Sequence, residues 1–213
     1  MSDKQTRIAA ILSAAPVVPV LTIEDRAIAV PLARALIAGG LTAIEVTLRT
    51  PAALECIRAI AGDVEAANVG AGTVLDPAQY EAAEKAGARF MVSPGATDAL
   101  LDAADSSPVP FLPGAVTAGE AMRLADRGYR HLKFFPAEPA GGIAYLKALA
   151  LPIPSVRFCP TGGVGAKNAA DYLALVNVIC VGGSWVAPPE AIAGGDWGRV
   201  TALSREAAAL AKS

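Results

Sequence analysis

The chain has 213 residues, of which 54% are apolar and only 5% aromatic, and its formal net charge is −2. With a sequence pI near 5.5 and no dense run of Lys and Arg, it lacks the basic footprint that nucleic-acid binding needs. Three cysteines without framework spacing (Cys56, Cys159 and Cys180) and a single histidine, His131, argue against a disulfide scaffold and against a zinc centre, and they fit a reducing compartment.

Lys4 and Arg7 precede the apolar stretch "IAAILSAAPVVPV", an order shared with secretory signals. Asp3, Pro16 and Pro19 oppose that reading, because the prolines interrupt the run before it could span a membrane. A short amphipathic helix leading into the first strand is expected instead. From there β-rich runs alternate with Ala-rich stretches that are apolar at helical spacing. The strand runs are "VVPVLT" (17–22), "TAIEVTL" (42–48), "NVGAGT" (68–73), "RFMVSP" (89–94), "VPFLPG" (109–114), "RHLKFFP" (130–136), "VRFCPT" (156–161) and "VNVICVG" (176–182). Gly40, Gly87 and Gly128 each stand between an apolar helix and a strand, as left-handed helix terminators do, and Asp76-Pro77 supplies an N-cap with a proline at the first helical position. No linker or charge block divides the chain. The pattern predicts an α/β (β/α)8 TIM barrel, a single domain over residues 1–213, with an open doubly wound sheet as the competing architecture. In a barrel the chemistry lies where each strand stops.

Strand parity sorts the side chains. On "TAIEVTLR", Ile44, Val46 and Leu48 share the helix-facing side, while Ala43, Glu45, Thr47 and Arg49 face the interior or its mouth. On "RHLKFFP", Leu132 and Phe134 face out and His131, Lys133 and Phe135 face in. Glu45, Arg49 and Lys133 would then converge near the open end, since an isolated buried charge is very costly. A structural Glu45–Lys133 ion pair with a solvated Arg49 would satisfy the same pattern. The chemical alternative is sharper: desolvation and a nearby cation such as Arg49 favour a neutral lysine, which can attack a ketone to form an imine. The protonated imine withdraws electrons as a C–C bond breaks, and Glu45 can shuttle protons as general acid and base. The remaining lysines fit this role poorly, because Lys4 and Lys212 are terminal and Lys85, Lys147 and Lys167 fall on helices or their starts.

"PTGGVGAKN" (160–168) and "VGGSW" (181–185) each follow a strand and precede a helical stretch, the recurrent phosphate site of this barrel, with the Ser184 hydroxyl as a further donor. The G-x-G-x-x-G spacing of a dinucleotide site is missing. At the ends of strands three and four, Thr73 could donate to a carboxylate held by Arg49, and Pro94 with Phe135 could form apolar walls; tight turns alone would also explain these motifs.

Taken together, "EVTLRT", "VGAGTVL", "SPG", "KFFPAE", "RFCPTGG" and "GGSW", in this order, closely resemble the 2-keto-3-deoxy-6-phosphogluconate (KDPG) and 4-hydroxy-2-oxoglutarate (KHG) aldolase family, from about Pro16 to the last helix. The resemblance implies a class I lyase with no metal and no other cofactor. It would cleave 2-dehydro-3-deoxy-6-phospho-D-gluconate to pyruvate and D-glyceraldehyde 3-phosphate in the Entner–Doudoroff pathway. Cleavage of 4-hydroxy-2-oxoglutarate to pyruvate and glyoxylate would be a second activity. It makes Lys133 the Schiff-base lysine and Glu45 the proton-transfer residue. Arg49 and Thr73 would bind the pyruvate carboxylate, Pro94 and Phe135 would line the pocket, Thr161 would touch the aldehyde portion, and Gly162, Gly163 and Ser184 would hold the phosphate. It further implies a cytoplasmic homotrimer whose partner is a small phosphorylated 2-keto acid, not a nucleic acid or a membrane. The epimeric phosphogalactonate substrate, a phosphosugar isomerase or epimerase, and a non-catalytic phosphosugar-binding protein are the competing readings.

Overall fold

The computed structural model describes residues 3–211; Lys212 lies outside them. Helix α1 (Asp3–Ser13) ends ahead of Pro16, so the expected N-terminal helix forms. Strands β1 (Val17–Leu21), β2 (Ala43–Thr47) and β3 (Asn68–Gly72) fill the first three expected runs. The fourth shortens to β4 (Met91–Val92). The fifth splits into β5 (Phe111–Leu112) and β6 (Gly114–Ala115), because Pro113 between them has no N–H for the ladder. Strands β7 (His131–Phe134) and β8 (Arg157–Pro160) match the sixth and seventh runs.

The last run forms a ladder strand only at its end, as β9 (Val181–Gly183), with a single parallel bridge from Val178 to Phe158 before it. Its first half closes a turn, with Val178 N–H donating to Leu175 O, and the buried Asn177 side chain donates to Leu146 O at 2.9 Å. Helices α2 (Ala29–Ala38), α3 (Ala53–Asp63), α4 (Pro77–Lys85), α5 (Asp98–Ser106), α6 (Ala118–Asp126), α7 (Gly142–Ala150) and α8 (Ala169–Leu173) intervene between the strands, and α9 (Pro189–Ala193) and α10 (Trp197–Ala208) follow the last one. The anticipated punctuation is in place. Asp76 caps α4 by accepting from Gln79 N–H, and Gly40, Gly87 and Gly128 have φ of +97°, +92° and +93°.

Every strand pairing is parallel, as helical crossovers require. Six strands run in the order β5-β4-β3-β2-β1-β9 and three in the order β6-β7-β8. The curled sheet separates two apolar clusters, as parity predicts. Ile44, Val46, Leu132 and Phe134 belong to the large core beneath the helices. Val18, Ala43, Phe90, Val92 and Cys159 form an inner cluster, closed at the N-terminal strand ends by Ile8 and Leu12 of α1. Lys4 fastens that plug: its ammonium donates to the carbonyls of Ala104, Asp105 and Ser107 at 2.7, 2.9 and 3.0 Å, satisfying the C-terminal end of α5.

Candidate active site

The inner face of β2 carries Glu45 and the inner face of β7 carries Lys133, 88 residues apart in sequence. Their side chains meet across the interior, with Lys133 Nζ donating to Glu45 Oε1 at 3.1 Å. Both residues are 3% exposed. The other described lysines that sequence reasoning placed on helices, Lys85, Lys147 and Lys167, are exposed, and Lys85 pairs with Glu81.

Room for this pair comes from glycine. A Cβ at Gly72, on the neighbouring strand β3, would lie 2.1 Å from Glu45 Oε1, so any side chain there would evict the carboxylate. Gly114, in register with Lys133, makes room for backbone instead, since a Cβ there would lie 2.2 Å from the Pro94 carbonyl. The ring of Phe135 lies with its centroid 5.4 Å from Lys133 Nζ, an apolar wall that also offers a cation its π face. Pro136, expected to help Phe135 exclude water, is itself exposed, so the shielding falls to the ring. Pro94 is half-buried.

Arg49, two residues past the end of β2, is exposed, and its Nε donates to Thr73 Oγ1 at 3.2 Å. The charge hydrogen-bonded to the lysine is the expected Glu45 carboxylate, while Arg49, the cation expected nearby, bonds to Thr73 instead. Thr73 is strained: its φ is +58°, a left-handed conformation that costs a β-branched residue on the order of 1–3 kcal/mol. That conformation lets its hydroxyl meet Arg49 at the rim. A hydroxyl pair adjoins the mouth, where the Thr22 and Thr47 hydroxyls lie 3.1 Å apart and Thr47 donates to Leu21 O.

On the β8–β9 side, Thr161 is buried and its hydroxyl would lie 2.3 Å from a Cβ at Gly182, to which it is joined by a parallel bridge. Gly162 and Gly163 follow with φ of +97° and +81°, and Ser184 is exposed just past β9. Among the described residues, the N–H groups of Gly162, Gly163 and Ser184 form no hydrogen bond within the protein, which leaves them available to an anion. The structure thus brings Glu45 together with Lys133 and Arg49 together with Thr73.

Sequence reasoning missed the residues that hold this arrangement open and rigid. Gly72 sits inside a quoted motif without a role, and Gly182 figures only as part of a phosphate loop, although a glycine beside an inward polar side chain is a legible sign that something needs its space. Asn168, just before α8, bonds to Gly163 and Gly165 in the turn after β8, and Tyr172 on α8 bonds to Glu138 after β7; neither gave a signal of its own.

A family model described as "Aldolase: KDPG and KHG aldolase" matches residues 8–203. The KHG/KDPG aldolase of Escherichia coli strain K12 is 50% identical over 212 residues, covering 100% of both chains. The crystal structure of the KDPG aldolase from Legionella pneumophila, with pyruvate captured at low pH as a covalent carbinolamine intermediate, superposes with a TM-score of 0.92 at 46% identity, covering 94% of this chain and 98% of that one. The 2-keto-3-deoxy-6-phosphogluconate aldolase of Zymomonas mobilis ZM4, with 3-phosphoglycerate, gives 0.93 at 45% identity over 98% of each chain.

Proposed function

Because the chain belongs to the KDPG and KHG aldolase family, we propose that it cleaves 2-dehydro-3-deoxy-6-phospho-D-gluconate to pyruvate and D-glyceraldehyde 3-phosphate through a Schiff base on Lys133. The observation that carries this reading is the buried 3.1 Å contact between Lys133 Nζ and Glu45 Oε1. A lysine must shed a proton before it can attack, and a carboxylate at hydrogen-bond distance is placed to accept it.

The amine adds to the C2 ketone to give a carbinolamine, which loses water with a proton from Glu45 to give the iminium. The C4 hydroxyl then gives its proton to the Glu45 carboxylate and the C3–C4 bond breaks. Its electron pair moves toward the iminium nitrogen, leaving an enamine and releasing the aldehyde. Proton return to C3 restores the iminium, and water releases pyruvate and the free lysine. Arg49 and Thr73 hold the carboxylate of the keto acid, Phe135 and Pro94 flank the reacting carbons, and Thr161 faces the aldehyde portion. The phosphate is held by Gly162, Gly163 and Ser184, whose free N–H groups support that assignment. Cleavage of 4-hydroxy-2-oxoglutarate to pyruvate and glyoxylate uses the same steps.

The same reading joins the two sheets into one closed eight-stave barrel and a single domain. It is supported by the single residue, Pro113, between β5 and β6 and by the Phe158–Val178 and Thr161–Gly182 bridges between β8 and the last run. It further makes the enzyme a cytoplasmic homotrimer of the Entner–Doudoroff route; no helix of the described residues is long and apolar enough to cross a membrane. Borohydride reduction in the presence of pyruvate is the test. The protein should gain the mass of a reduced pyruvate adduct on Lys133, and a protein that gains none does not carry out this chemistry.

A further inference from the structure

Gly162 and Gly163 are consecutive left-handed residues whose N–H groups form no hydrogen bond among the described residues. Their orientation is set through carbonyls instead. Ala137 N–H donates to Thr161 O at 2.8 Å and Glu138 N–H donates to Gly162 O at 3.0 Å. A trans peptide is planar and sends its C=O and N–H to opposite sides. Fixing Thr161 O and Gly162 O on residues 137–138 therefore turns the N–H groups of Gly162 and Gly163 away from that segment. On the next peptide, Asn168 Nδ2 donates to Gly163 O at 3.1 Å while its Oδ1 accepts from Gly165 N–H at 2.8 Å.

The segment that does the aiming must itself be held. The Glu138 carboxylate accepts a hydrogen bond from the hydroxyl of Tyr172 on α8, a residue with no exposed surface. The stem of Glu138 lies against the glycine turn, since a Cβ at Gly163 would meet its Cγ at 2.5 Å and its Cβ at 2.6 Å. Glu138 thus fills the space where a side chain at 163 would project, and its charge is tied to a phenol behind the turn.

We propose that Glu138, anchored by Tyr172, is a positioning residue for the substrate's phosphate: it locks the Gly162–Gly163 turn so that the two free N–H groups face the anion. This rests on the aldolase reading above. Removing the Glu138 side chain frees the turn and weakens the hold on the phosphorylated substrate, while pyruvate, which has no phosphate, is unaffected.

The experiment compares wild type, Glu138→Ala, Glu138→Gln and Tyr172→Phe in two assays: steady-state cleavage of 2-dehydro-3-deoxy-6-phospho-D-gluconate, and the pyruvate concentration that gives half-maximal borohydride-trapped adduct. Glu138→Ala should raise KM about tenfold, the equivalent of one lost hydrogen-bonded contact, with kcat and pyruvate trapping within about twofold of wild type. Glu138→Gln should restore KM, because its amide oxygen still accepts from Tyr172, and Tyr172→Phe should raise KM about threefold. The inference is overturned if Glu138→Ala and Tyr172→Phe leave KM unchanged, if pyruvate trapping weakens in step with KM, or if Glu138→Gln is as impaired as the alanine variant. A wild-type protein that traps no pyruvate overturns the aldolase reading instead, so the two failures are told apart.

Discussion

The two ends of the interior are built from the same strands and follow opposite rules. At the N-terminal ends, the inward positions hold apolar side chains apart from the buried His131, and α1 presses Ile8 and Leu12 against Phe90 and its neighbours. At the C-terminal ends, the inward positions hold a carboxylate, an ammonium, a buried threonine and glycines whose absent side chains make room for them. A fold can bury an ion pair at one end because close packing at the other supplies the stability. Burying a large aliphatic side chain contributes about 1.5–3 kcal/mol, whereas a buried ion pair often contributes little net.

The sharpest way to break the comparison is Lys133→Ala, which should abolish cleavage and the borohydride adduct while the protein stays folded, as read by mass spectrometry and circular dichroism. Glu45→Gln should lower kcat about 10²- to 10⁴-fold, the usual worth of a positioned proton-transfer group, while the adduct still forms on prolonged incubation. A normal rate in that variant would remove Glu45 from the mechanism. At the opposite end, Phe90→Ala should cost about 3–5 kcal/mol in urea-monitored stability and leave kcat nearly unchanged below its melting temperature. Equal damage to rate and stability would mean that the two ends are not separable. Arg49→Ala should weaken pyruvate trapping by about 10- to 100-fold, as expected for one charge-assisted contact of about 1.5–3 kcal/mol.

The smallest effect concerns His131, at the plugged end. Its imidazole is held below the ordinary 6.5 by burial and, secondarily, by the Arg157 guanidinium. As pH falls through about 6.5 the unfolded chain takes up a proton while the folded one resists, so stability is lost on acidification until the folded form also protonates. The drop in melting temperature between pH 8 and pH 5.5 should therefore be smaller in His131→Gln than in wild type.

The legible parts of this molecule were those that repeat or that violate expectation. Alternating strand and helix signals set the order of elements, and parity placed Glu45 and Lys133 inward because a charge within an apolar run has few places to go. Element ends were legible where a backbone requirement shows in the residue type, as at Asp76-Pro77 and the three helix-terminating glycines. The split at Pro113 was visible in principle, since a proline within a strand run forfeits a ladder bond. What parity could not reveal was who faces whom across the interior. Arg49 shares the inward face of β2 with Glu45, yet its position beyond the strand end sends it to the rim, where the strained Thr73 hydroxyl meets it. Contacts between elements distant in sequence, such as Tyr172 with Glu138 or Lys4 with the end of α5, leave no periodic trace, so only coordinates disclose them.

The helix wedged under the strands has one more effect. With Ile8 and Leu12 packed into the far end, the rim that carries Arg49 and Thr73 is the side from which Lys133 is approached. For a reaction that divides a tethered molecule, the bond to the lysine holds one fragment back, so the outer fragment leaves first by the side it came from.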